Sequence, residues 1–100
     1  MPPMIKAVNV MDLKLAEGDC MAELVIWQLP GGTKERLHGL KYRLWCGRAG
    51  STVVRYDNET GKGDHRHYGD QEEPYVFQSV ERLIADFAAD VERLCGWRIT

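Results

Sequence analysis

Residues 80–95 read Val-Glu-Arg-Leu-Ile-Ala-Asp-Phe-Ala-Ala-Asp-Val-Glu-Arg-Leu-Cys, and the architecture of the chain follows from them. Val80, Leu83, Ile84, Phe87, Val91 and Leu94 recur at three- and four-residue steps, which puts them in one apolar stripe along a helix. Ser79 precedes the stripe as an N-cap, Glu81 suits the positive end of the helix dipole, Arg93 suits the negative end, and Gly96 can take the left-handed closing position. A lone helix with one apolar face must bury that face, and no second helical pattern occurs in the chain, so its partner has to be a sheet.

The strands lie upstream. Leu40–Cys46 and Thr52–Asn58 are β-rich runs separated by Gly47-Arg48-Ala49-Gly50-Ser51, the composition of a hairpin loop. Met21–Leu29 is a Leu-Val-Ile-Trp-rich strand stopped by Pro30-Gly31-Gly32, and Glu17-Gly18-Asp19 offers a reversal before it. Ile5–Leu15 pairs with it as a first hairpin, although its apolar residues fit neither the helical nor the strand period. Residues 30–39 read as an exposed loop, with His38 solvated. The expected fold is α+β: a four-stranded antiparallel sheet with one C-terminal amphipathic helix packed on one face, in the order ββββα.

The length of 100 residues, with 44% apolar and 28% charged content, fits one domain spanning 1–100. A net charge of −2 gives no global attraction to nucleic acid or anionic membrane, so polyanion binding would need a local patch. Cys20, Cys46 and Cys95 are odd in number and widely spaced, which points to reduced thiols rather than a disulfide framework or zinc knuckle. The opening residues form no signal peptide and no apolar run approaches the ~20 residues that span a bilayer, so a cytoplasmic protein is expected. Exposed sheet edges would need a cover, and a second copy of the chain, as a homodimer, is one way to supply it.

Side chains alternate across a strand, so Leu40, Tyr42 and Leu44 belong under the helix while Lys41, Arg43 and Trp45 face away from it. By the same rule Arg55 and Trp27 join the open face. Cations interleaved with large aromatics suit single-stranded RNA, because cations meet phosphates and indoles stack bases. A protein interface has the same composition, since Trp and Arg are also enriched at hot spots.

Between Arg55 and Tyr75 the chain is polar and glycine-rich, with two of its three histidines and six of its fifteen acidic residues, and we take this segment as the candidate site. If His65-Arg66-His67 is extended, both imidazoles point to one side and Arg66 to the other. Histidine titrates near 6.5, which suits a base taking a 2′-hydroxyl proton and an acid protonating a leaving 5′-oxygen. Arg55 and Lys62 are placed to meet the charge that builds on phosphorus. The same histidines with Asp57, Asp64, Glu72 or Glu73 form a nitrogen and oxygen donor set for a metal, but no spacing here is diagnostic, and no metal or other cofactor is expected. Gly61-Lys62-Gly63 is no P-loop, because the Gly-Lys-Ser/Thr ending is missing. A solvated loop that pairs its own charges remains the plain alternative.

The run Tyr56-Asp57-Asn58, then Gly61-Lys62-Gly63-Asp64-His65-Arg66-His67, then Glu72-Glu73-Pro74-Tyr75 with Phe77 and a C-terminal amphipathic helix, resembles the TumE-like toxins of bacterial toxin-antitoxin systems. The resemblance is strongest over residues 40–95. It implies a small cytoplasmic toxin encoded beside a DNA-binding antitoxin.

The leading expectation is therefore a type II toxin acting on RNA as a metal-independent endoribonuclease. His65 and His67 serve as acid and base, Arg55 and Lys62 stabilise charge, and Asp57 or Glu73 orients a histidine. Lys41, Arg43, Trp45, Arg66 and Tyr75 are the candidate RNA contacts. The alternative is a non-catalytic module whose sheet face or polar loop binds an antitoxin or another protein.

Overall fold

The computed structural model describes residues 7–30, 38–58 and 63–99. Six strands form one antiparallel sheet in chain order: β1 (Val8–Glu17), β2 (Cys20–Gln28), β3 (Leu40–Arg48), β4 (Ser51–Asp57), β5 (His65–Tyr68) and β6 (Gln71–Pro74). The helix α1 (Val80–Cys95) packs across β3 and β4. The α+β class and the C-terminal helix agree with the sequence, but the sheet has six strands where four were expected. The additional pair is the polar segment itself. It carries no apolar alternation to announce strands, yet β4 offers β5 an edge and Gly69-Asp70 closes the turn to β6 in two residues. Gly69 has a φ of 59°, a left-handed conformation that a side chain would oppose.

The irregular pattern at the start of the chain has a local cause. Val8 pairs with Gln28 and Met11 with Ile26, so Val10 is an extra, bulged residue and Val8 and Met11 share a face despite their three-residue spacing. No simple period survives such an insertion.

The core lies between α1 and one sheet face. Leu24, Ile26, Leu44, Val54 and Tyr56 meet Leu83, Phe87 and Val91, all fully buried or nearly so. The ring of Tyr56 sits edge-on to Phe87 at 5.9 Å and to Tyr75 at 5.0 Å. Ser79 caps α1 by accepting from the backbone N–H of Arg82 at 3.0 Å, and Gly96 closes it through Glu92. Tyr56 and Tyr68 donate to Oδ2 of Asp90 at 2.5 and 2.6 Å, and Arg93 donates to Oδ1, which fastens the helix to β4 and β5. Burial works to raise the Asp90 pKa, but these three donors outweigh it and hold the carboxylate below its usual range.

Asn58 completes β3 where β4 stops. Its side chain accepts from the N–H of Tyr42 at 2.9 Å and donates to the carbonyl of Leu40 at 2.7 Å, in place of a further ladder step. Among the described residues no helix is long and apolar enough to cross a membrane.

Candidate functional site

The site lies on the sheet face opposite α1, where register aligns two rows of side chains. Val25, Arg43, Asp57 and His65 form one row across β2 to β5. Glu23, Trp45, Arg55, His67 and Glu72 form the next, ending on β6. The extended β5 puts the two imidazoles side by side at 4.8 Å.

At the centre of the site, Asp57 is 5% exposed. Its Oδ2 lies 2.9 Å from Nε of Arg55 and its Oδ1 lies 2.5 Å from Nε2 of His65. Neither contact is aligned as a hydrogen bond, since Arg55 Nε and Asp57 Oδ1 are both buried without such a partner, so these are charge contacts. The Nδ1 of His65 faces the carbonyl of Gly63 at 2.9 Å and must donate to it. The His65 imidazole is thus held between the Gly63 carbonyl and the Asp57 carboxylate.

His67 is in a different state. Nη2 of Arg55 lies 3.1 Å from its Nε2, and a guanidinium can only donate, so Nε2 is an unprotonated acceptor. Burial, and then the Arg55 cation, pushes the His67 pKa below its ordinary value. Beside this pair a cavity of about 400 Å3 opens, lined by Ser51, Thr52, Arg55, His67, Gly69 and Asp70. A second cavity, of about 280 Å3, is also lined by Arg55, together with Lys41, Arg43 and Asp57.

One donor atom from each of Asp57, His65 and His67 lies within 4.8 Å of the other two, a set able to surround a metal ion. Arg55 argues against that use. Its guanidinium already touches both Asp57 and His67, and a divalent ion among them would meet a full positive charge.

The remaining expected residues are divided by the sheet. Lys62 lies outside the described residues. Arg66 and Glu73 pair with each other on the α1 side of the sheet, where Arg66 stacks over Tyr56, Tyr68 and Tyr75 at 5.4–5.9 Å. Tyr75 is 9% exposed, belongs to the core and donates to Asp86 at 2.7 Å. Arg66, Glu73 and Tyr75 are thus separated from the histidines by the thickness of the sheet, because alternation sends them to the opposite face. The carboxylate on the histidine side is Glu72, 3.7 Å from Nε2 of His65. Pairing His67 across the two-residue Gly69-Asp70 turn would have found it.

Trp45 is also less open than expected. Its indole N–H donates to Thr52 at 2.9 Å, Arg43 covers its ring at 5.9 Å, and the ring lies over Gly47 where any Cβ would collide with it. His38, expected in solvent, is half-buried against Phe77 at 4.1 Å with its Nε2 3.0 Å from Asp64. Tyr42 donates to the same Asp64 at 2.8 Å, so these residues brace the start of β5.

No curated protein and no solved structure matches the chain. A family model does: the one described as toxin TumE aligns with residues 5–95, which takes in the whole sheet, both histidines and α1, and so the chain belongs to the TumE toxin family.

Proposed function

We propose that this toxin acts by cutting RNA at the open face of the sheet, with the RNA's own 2′-hydroxyl as nucleophile and no metal. The observation that carries the reading is the Arg55–His67 pair, a neutral imidazole at the wall of a cavity with a cation against it. Once the substrate phosphate draws the Arg55 guanidinium to itself, Nε2 of His67 is freed to take the 2′-hydroxyl proton as O2′ bonds to phosphorus, and the P–O5′ bond breaks. The leaving O5′ receives its proton from the imidazole of His65, which Asp57 holds in place. Protons and electrons balance, giving a 2′,3′-cyclic phosphate and a 5′-hydroxyl. Arg55 and Arg43 face the charge that develops on the phosphoryl oxygens. Lys62 is a further candidate for that charge.

The test is cleavage of several RNAs by purified protein in excess EDTA. The expected result is products ending in cyclic phosphate, with resistance wherever the 2′-hydroxyl is methylated. No cleavage of any substrate across a range of pH, or activity lost to EDTA and restored by zinc or manganese, would overturn the mechanism.

A protein-binding reading has its own support at the far edge of the sheet. β1 leaves Val8 62%, Val10 48% and Leu13 44% exposed on an edge strand, a surface suited to strand addition by a partner. We assign that edge to the antitoxin, a DNA-binding protein encoded nearby, and place both proteins in the cytoplasm. Co-purification that survives Leu13→Arg would remove the edge from the interface.

A further inference from the structure

We infer that the cleft formed by Val25 and Trp27 on the open face is a nucleobase subsite, which holds one unpaired base of the RNA while Lys41 and Arg43 hold the adjoining phosphate. This rests on the reading of the protein as an RNA-cutting toxin and adds to it where the substrate lies and that it must be single-stranded there.

Three observations converge on this cleft. Trp27 is 38% exposed, whereas Trp45, the other indole on this face, is pinned by Thr52, Gly47 and Arg43. Trp27 is therefore the indole with a face to offer. The cleft has a volume of about 220 Å3, and its walls are Val25 and Trp27 on β2 with Lys41 and Arg43 on β3.

The cleft is also continuous with the catalytic cavities. Lys41 and Arg43 border both this cleft and the cavity of Arg55 and Asp57, and Arg55 borders in turn the cavity of His67. A strand laid along this tract meets Trp27, then Lys41 and Arg43, then Arg55 and His67. Each β-strand it crosses is about 4.8 Å from the last. The path opens on an aromatic ring and continues over three cations, a ring for the base and charge for the phosphates.

Asp12 pairs with Val25 from the β1 side, so the cations at the cleft are Lys41 and Arg43 on β3. A base in a duplex is stacked on both faces and cannot enter such a cleft. The charge complementarity favours RNA here over a protein partner.

The experiment uses a fluorescein-labelled single strand with 2′-O-methyl sugars, which lacks the nucleophile and so reports binding alone. Anisotropy should show binding that weakens about ten-fold or more in Trp27→Ala and returns in Trp27→Phe. The same sequence as a blunt duplex should bind much more weakly. Circular dichroism and thermal melting of each variant separate lost binding from lost fold, and Trp27→Phe keeps the test open if Trp27→Ala does not fold.

Unchanged binding in a folded Trp27→Ala, or equal binding of the duplex, overturns the subsite. So does a Trp27→Ala variant that weakens only the grip of the antitoxin, since the cleft would then serve a protein. Cleavage of unmodified RNA is scored separately. Trp27-dependent binding without any cleavage keeps the subsite and removes the ribonuclease reading, whereas cleavage indifferent to Trp27 does the reverse.

Discussion

Nη2 of Arg55 stands 3.1 Å from Nε2 of His67 across the β4–β5 ladder, and the contact runs one way because a guanidinium has no lone pair with which to accept. That one-sidedness fixes which nitrogen of His67 is free of a proton. It also sets the two histidines apart, since His67 faces the Arg55 cation while His65 lies against the Asp57 carboxylate.

A pH profile should carry the signature of this pair. Burial and Arg55 both hold the His67 pKa down, so the rising limb of kcat/KM should have its midpoint below about 6.5. In Arg55→Gln the cation is gone and burial remains, so the midpoint should move upward while the rate falls. A limb that stays in place would show that His67 is not the titrating base.

Substitution of the two histidines should give different outcomes. The His67 side chain is 12% exposed and borders a cavity, so His67→Ala should lose about 10² to 10⁴ in rate with a smaller loss of stability than His65→Ala. His65 is 4% exposed, and His65→Ala leaves a buried Asp57 short of a partner, at a cost of about 1 to 3 kcal/mol. Urea denaturation of both variants, beside single-turnover cleavage, checks the pair. Equal stability losses would mean that the burial difference has no energetic consequence.

Asp90 should make the fold acid-sensitive. Its folded pKa lies below the unfolded value, so the unfolded chain binds more protons at low pH. Its stabilisation is complete above the unfolded carboxylate pKa of about 3.9 and disappears as pH falls through the lower folded value. His67 acts in the same direction at higher pH: its lowered pKa adds stability above about 6.5 that is lost on acidification. Asp90→Ala should cost about 2 to 3 kcal/mol by stranding the buried Tyr56 hydroxyl, and should flatten the acid limb of stability against pH. An unchanged acid limb would exclude the carboxylate.

Phe87→Ala tests the helix stripe. Phe87 is fully buried against Tyr56, and its loss should cost about 3 to 5 kcal/mol through cavity formation. Activity should fall only in proportion to the unfolded fraction. Lost activity in a folded variant would instead tie the core to catalysis.

Whatever depends on neighbours along the chain was legible in the order of its residues. The stripe from Val80 to Leu94 specified α1 and its buried face, Ser79 and Gly96 specified its ends, and the alternation in Leu40–Cys46 separated Tyr42 and Leu44 from Lys41 and Arg43. Alternation also placed His65 and His67 together and Arg66 opposite.

What depends on register between distant segments emerged with the folded chain. That Arg55 meets His67 rather than Arg66, that Glu72 and not Glu73 shares the histidine face, and that His38 finds Asp64 all follow from pairings across the sheet or between segments far apart in the chain. The β5–β6 hairpin was hidden for the same reason. Its residues carry no apolar period of their own, and what makes them strands is the edge of β4, which supplies hydrogen bonds that no local pattern encodes. The two indoles of the open face make the same point: Trp45 is held because Thr52 and Gly47 lie beneath it, while Trp27, equal to it in sequence character, has a ring left over.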